Sequence, residues 1–230
     1  MNTPEFRRGV QASHALFRDL NLVSIAKWFG SLDVSPAFRA AALDPIATYV
    51  DVYRLGLHNR DYNMLLTDFS FVQFYFDHDK SPFGLRYAYY PNPYDQTVLN
   101  DAIEAGLTGS EGDDFDFAVS LFDEAQLDPR APCVRYEVAF NDYRELTHPA
   151  AHFHFGAHGD SRWPAERILT PDAFALIIAK YFYASAWAKH GDRPDSMNVF
   201  DARLCAARLR CAALEPRYFS TDERRQFFFA

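Results

Sequence analysis

Residues 69–90 decide the fold: FSFVQFYF, then DHDKSPFG, then LRYAYY. Rings and β-branched side chains fit a pleated surface, and the middle segment carries Pro82 and Gly84, so the stretch reads as a β-hairpin. Pro91 and Pro93 close its second strand. Outward from the hairpin, residues 133–140 (CVRYEVAF) form a third strand. Asp142 and Tyr143 turn the chain, and residues 151–156 (AHFHFG) make a fourth strand antiparallel to the third.

On either side the period lengthens to that of a helix. Thr3-Pro4-Glu5 is a capped helix start, and Val10, Phe17, Leu20 and residues 22–29 follow at a spacing of roughly 3.6 until Gly30. Ser35-Pro36 begins a second helix. Asp44-Pro45 begins a third, with Ile46, Val50, Tyr53 and Leu57 on one face. Residues 95–127 are acidic and read as two helical pieces broken at 108–112. Pro171-Asp172 opens an apolar helix over 173–189, with Phe174, Ile177, Ile178, Tyr181 and Phe182 inward, and residues 198–230 hold one or two arginine-bearing helices. The expectation is one α+β domain over residues 1–230. It has a helical part at 1–67, a sheet-bearing part at 68–170 with four or five antiparallel strands, and a helical part at 171–230.

Bulk properties narrow the function. Hydrophobic residues make up 49% of the 230 and rings 17%, enough apolar mass for a well-filled core. The net charge of -8 argues against a general nucleic-acid coat, which needs a dense basic surface, yet leaves room for a local basic groove. Arginines do cluster, at Arg7 and Arg8, at Arg203, Arg208 and Arg210, and at Arg224 and Arg225; the plain alternative is ordinary helix-surface charge. Cys133, Cys205 and Cys211 have no framework spacing and read as reduced cytosolic thiols. No apolar run approaches the ~18 residues of a membrane span, so a cytoplasmic protein without membrane contact is expected. Phosphate-loop, nucleophile-elbow, zincin and dinucleotide-binding signatures are all absent.

Chemistry concentrates between His148 and Arg162. His148, His152, His154 and His158 fall together, and strand alternation points His152 and His154 to one face and Phe153 and Phe155 to the other. Two imidazoles projecting together can ligate a transition metal or act as acid and base. With Asp142 or Asp160 as carboxylate, such a set would suit Zn, Mn or Fe. Arg162 is a natural anion clamp, with a salt bridge to Asp160 or Glu166 as its alternative. Arg86, Arg135 and Tyr143 are further candidates for holding an anion or substrate, and Arg135 shares a strand face with Glu137. The bland reading of the histidines is that they brace the sheet by hydrogen bonds. A different reading makes the aromatic strands a stacking platform for single-stranded nucleic acid or a protein partner.

The order of several motifs resembles a known family. Tyr62-Asn63 and Asp68 lead into FSFVQF at 69–74, then LRYAYYP at 85–91 and VRYE at 134–137. His148-Pro149-x-x-His152, Gly156, Arg162-x-Pro164, Leu169-Thr170-Pro171, Phe174 and Tyr181-Phe182-Tyr183 follow. Together, from about residue 45 to the end, these resemble an uncharacterised bacterial family, domain of unknown function 2290. The resemblance implies cargo of bacterial mobile or defence regions, a role beside nucleic acid or nucleotide, and a protein partner encoded nearby. It groups His148, His152, Gly156, Arg162 and Pro164, with His148, His152 and Arg162 as the catalytic candidates, and says less about His154.

Overall fold

A computed structural model describes residues 1–79, 81–94, 100, 132–156 and 161–226. The expected acidic helices at 95–127, together with His158 and Asp160, lie outside the described residues.

The first helix, α1 (Thr3–Asp19), starts one residue earlier than Thr3 would cap it. Asn2 is the cap, and its side chain and that of Glu5 exchange hydrogen bonds with each other's backbone N–H at 2.9 Å. The helix does not run on to Gly30. Asn21 turns the chain at φ 56, and residues Val23–Ala26 become β1, because Val23 and Ile25 find partners in Leu66 and Leu65. Ser35 caps α2 (Pro36–Leu43), its backbone N–H and hydroxyl held by Asp61 at 2.8 and 2.6 Å. The third helix, α3 (Tyr49–His58), begins at a Thr48–Asp51 capping box rather than at Asp44, which instead ends α2. Ile46 is consequently left outside any helix and exposed.

Among the described residues, seven antiparallel strands make the main sheet, two or three more than expected, in the order β1-β2-β3-β4-β5-β6-β7. They are β1, β2 (Met64–Leu66), β3 (Phe71–Asp77), β4 (Gly84–Tyr90), β5 (Val134–Val138), β6 (Ala151–Phe155) and β7 (Trp163–Pro164). Three of the seven are too short to show alternation, which is why they escape a sequence reading. A separate ribbon pairs β8 (Arg167–Ile168) with β9 (Ala212–Ala213). The fold is thus α+β.

The sheet buries one face completely at its centre. Phe74, Tyr87, Tyr136 and Phe153 lie opposite one another across four strands, with ring centroids 5.4, 5.9 and 5.0 Å apart. Helix α1 and the helix α4 (Pro171–Phe182) cover them, supplying Phe6, Val10, Phe17, Phe174 and Ile178. Two buried hydroxyls tie down the segment that leads into α4. Tyr87 donates to the Leu169 carbonyl at 3.2 Å, while Tyr136 donates to that of Arg167 at 2.8 Å and accepts from the Leu169 N–H at 3.1 Å. The helix expected over 173–189 stops at Phe182. Tyr183 leaves the helical conformation, its hydroxyl donating to half-buried Asp68 at 2.8 Å, and α5 (Ala184–Gly191) starts afresh. Tyr181, expected inward, is exposed. Two further helices follow, α6 (Val199–Arg210) and α7 (Thr221–Gln226). Among the described residues no helix is long and apolar enough to cross a membrane.

On the opposite face, α2 and α3 cover only one end. Phe38, Tyr53 and Leu57 pack there with Phe71, Ala88 and Tyr90. The remainder of that face, on β4, β5 and β6, carries charge.

Candidate functional site

Register builds the site. On β5 and β6, Glu137 pairs with His152 and Arg135 with His154; on β4 and β5, Arg86 pairs with Glu137. Period-two alternation therefore sets Arg86, Arg135, Glu137, His152 and His154 side by side on the charged face, as His152 and His154 were expected to stand. Phe153 points the other way into the aromatic core, whereas Phe155 beyond it is exposed.

His152 and His154 are buried, 1% and 5% exposed. Their Nε2 atoms stand 2.9 Å apart, and the Nε2 of His154 is 3.9 Å from a Glu137 carboxylate oxygen. The other nitrogen of His152 lies 2.8 Å from the Pro149 carbonyl, which can only accept, so Nδ1 carries the proton and Nε2 offers a lone pair. Burial, and after it the neighbouring His154, push His152 down to about 4, keeping it neutral at physiological pH. Ligand atoms of Glu137, His152 and His154 all lie within 4.8 Å of one another, forming the one metal-competent group of three among the described residues. Asp142, the carboxylate expected here, is exposed on a short 3-10 turn (Phe140–Asp142) and is not part of this group.

The cations are arranged around the trio. A terminal nitrogen of Arg135 lies 4.0 Å from Glu137, and its Nε is buried without a hydrogen-bond partner among the described residues. Arg86 sits over the Tyr75 ring and lines, with Glu137, Arg39 and Tyr75, a cleft of about 300 Å³. Continuing the β6–β7 register, in which His152 meets Pro164 and Phe153 meets Trp163, places half-buried Arg162 across from His154. His148 presents its ring edge-on to His152 at 5.1 Å, and its buried Nδ1 has no hydrogen-bond partner among the described residues.

Tyr143 is engaged elsewhere. Its hydroxyl donates to buried Glu223 on α7 at 3.0 Å, and burial followed by that carboxylate raises it to about 12. Glu223 also accepts from the backbone of Leu146 and Ser220, so Tyr143 belongs to a brace between the 140–148 turn and α7. Glu137 joins the metal-competent group through its register against His152, which the sequence does not display, although its period-two spacing from Arg135 is visible there.

Six of the seven rings of β3 and β4 face the two cores, Phe71, Phe74, Phe76, Tyr87, Tyr89 and Tyr90 all being buried, while Tyr75 lines the cleft under Arg86. Exposed rings in mutual contact occur instead at the far edge, where Phe155 meets Trp163 at 5.6 Å.

No curated protein and no solved structure matches the chain. A family model does, over residues 27–230, a span that includes every strand from β2 to β9 and the whole charged face. The chain therefore belongs to the family described as uncharacterized conserved protein (DUF2290).

Proposed function

We propose that this protein is a metal-assisted enzyme acting on a phosphate-bearing substrate, a nucleic acid or nucleotide, at the charged face of the sheet. One observation carries the reading: Glu137, His152 and His154 converge within 4.8 Å, with His152 already oriented by the Pro149 carbonyl. Such a backbone tether is the usual outer-shell partner of a metal-bound imidazole. Bonds of about 2.1 Å set ligand atoms about 3 Å apart at right angles and about 3.4 Å apart at tetrahedral angles. The observed 2.9 and 3.9 Å lie near these values, and the third separation, within 4.8 Å, would close by rotation of the Glu137 side chain. Two imidazoles and a carboxylate suit Zn, Mn or Fe and leave positions for water and substrate. There a divalent ion would generate hydroxide and polarise a phosphoryl oxygen. Arg86, Arg135 and Arg162 would hold the phosphate, and His148 would move a proton at the rim. A cytoplasmic setting, and bacterial defence or mobile-element cargo working with a partner encoded nearby, belong to the same proposal.

Purified protein tests it by elemental analysis and by calorimetric titration with Zn²⁺ and Mn²⁺, followed by a phosphodiester cleavage assay. Near-stoichiometric metal and cleavage are expected for the wild type, both lost in His154→Ala. Absence of metal binding, with a folded and fully active His152→Ala, would sink it.

The specific alternative is bracing, favoured by the hydrogen bonds already available to both nitrogens of His152. It expects His152→Ala to destabilise the fold, with no metal-dependent property to lose.

A further inference from the structure

We infer that Phe155 and Trp163 form a base-stacking subsite, and that the substrate of the charged face is single-stranded nucleic acid. This rests on the phosphate-directed reading above and names its substrate class. Among the described residues, Phe155 and Trp163 are the one pair of large exposed rings in contact with each other, 43% and 46% exposed. They meet edge to face at 79°, and both side chains stay nearly half exposed.

The pair is pre-set. Phe155 stacks on Phe153 at 6.2 Å and 17°, and Phe153 packs on buried Tyr136, so the exposed ring is the outer end of a column anchored in the core. A rigid ring loses little entropy when a base settles on it. Every base has a π-face, so such a platform tolerates sequence but requires bases that are not already paired.

Position links the rings to the chemistry. Phe155 lies on the same strand as His152 and His154, one residue beyond the latter. Trp163 follows Arg162 directly, and alternation sends Trp163 to the ring side while Arg162 falls opposite His154. A chain crossing the sheet edge would therefore meet rings first and then the half-buried Arg162 guanidinium, behind which His154 lies buried. Arg162 and Arg135 stand on the His154 side of this edge, in a chain whose overall charge is -8. The edge is poorly made for adding a strand from a partner protein: β7 is two residues long and one is proline, which has no N–H to donate.

The test uses the full chain and short fluorescein-labelled oligothymidylate, with a blunt duplex carrying the same label as comparison. Wild type is expected to bind the single strand and to discriminate against the duplex. Phe155→Ala and Trp163→Leu should each weaken binding about tenfold, with Trp163→Phe restoring most of it, and with unchanged melting temperature and metal content. Equal affinity for the duplex, or unchanged affinity in both truncated variants, overturns the inference. So does a wild type that binds no oligothymidylate, the pair then being left to a protein partner. His154→Ala separates this idea from the metal reading. If it still cleaves while the ring variants lose binding, the metal assignment fails and the stacking site stands. If the ring variants bind as wild type does while His154→Ala loses metal and cleavage, the stacking site fails and the metal assignment stands.

Discussion

Strands β4, β5 and β6 show two opposite faces built from alternate residues of the same chain. One face carries Tyr87, Tyr89, Val134, Tyr136, Val138 and Ala151, all buried under α1 and α4. The other carries Arg86, Ala88, Arg135, Glu137, His152 and His154, and only its Ala88 end lies in the α2–α3 core. Apolar burial is non-directional and stabilises in proportion to area, so the first face can hold the fold. Desolvated charge and imidazole cost stability unless paired, so the second face, whose Glu137, Arg135, His152 and His154 interact with one another, adds less to the fold than the first. The difference teaches where to separate folding from function: at adjacent residues, not at distant sites.

The comparison breaks first at Phe74. It is fully buried between Tyr87 and Phe174, and Phe74→Ala should cost ~3–5 kcal/mol in a urea titration. A loss below about 1 kcal/mol would show that the aromatic face does not hold the fold.

Next comes acid. The folded value of His152 is lowered to about 4 from an ordinary 6.5, so between those limits the unfolded chain binds more protons than the folded one. Stability therefore falls as pH drops through this window, by on the order of 3 kcal/mol in metal-free protein at its lower end. Paired urea titrations near pH 7 and near pH 4 measure it, and His152→Asn should flatten the difference. A slope that survives in the variant would assign the effect to other groups.

Tyr136→Phe should act more gently. It removes one hydroxyl that serves the Arg167 carbonyl and the Leu169 N–H, at a cost of ~1–2 kcal/mol. Hydrogen exchange should speed up at Leu169, while metal affinity on the other face stays as in wild type.

The smallest effect on stability is expected at Glu137, whose side chain is 27% exposed. Glu137→Gln should change unfolding free energy by less than about 1 kcal/mol. Metal affinity should fall by at least ~10-fold, because losing a ligand costs no less than losing an outer-shell partner. A variant that loses stability but keeps its metal would reverse the assignment of the two faces.

Much of this was legible in the chain. The hairpin at residues 69–90, the strands containing Arg135 and His152, and the helix starts at Ser35 and Pro171 all follow from local preference. So does the shared face of His152 and His154. The short strands β1, β2 and β7 were not legible, since two to four residues cannot display a period. Nor was the interruption at Tyr183, which bonds to Asp68, distant in sequence, and breaks a good helical pattern. The bond from Tyr143 to Glu223 is equally invisible in the chain, since the two lie 80 residues apart.

Alternation, capping and aromatic content are properties of neighbouring residues, so the sequence alone determined the α+β class and the pairing of two histidines on one face. Register is different. It depends on how strands separated by long connections align and on which helices cover which face. Only the folded sheet decided that Glu137, rather than Asp142, stands beside His154. It alone brought Arg86 and Arg135 to the same face and left Phe155 against Trp163 at the edge.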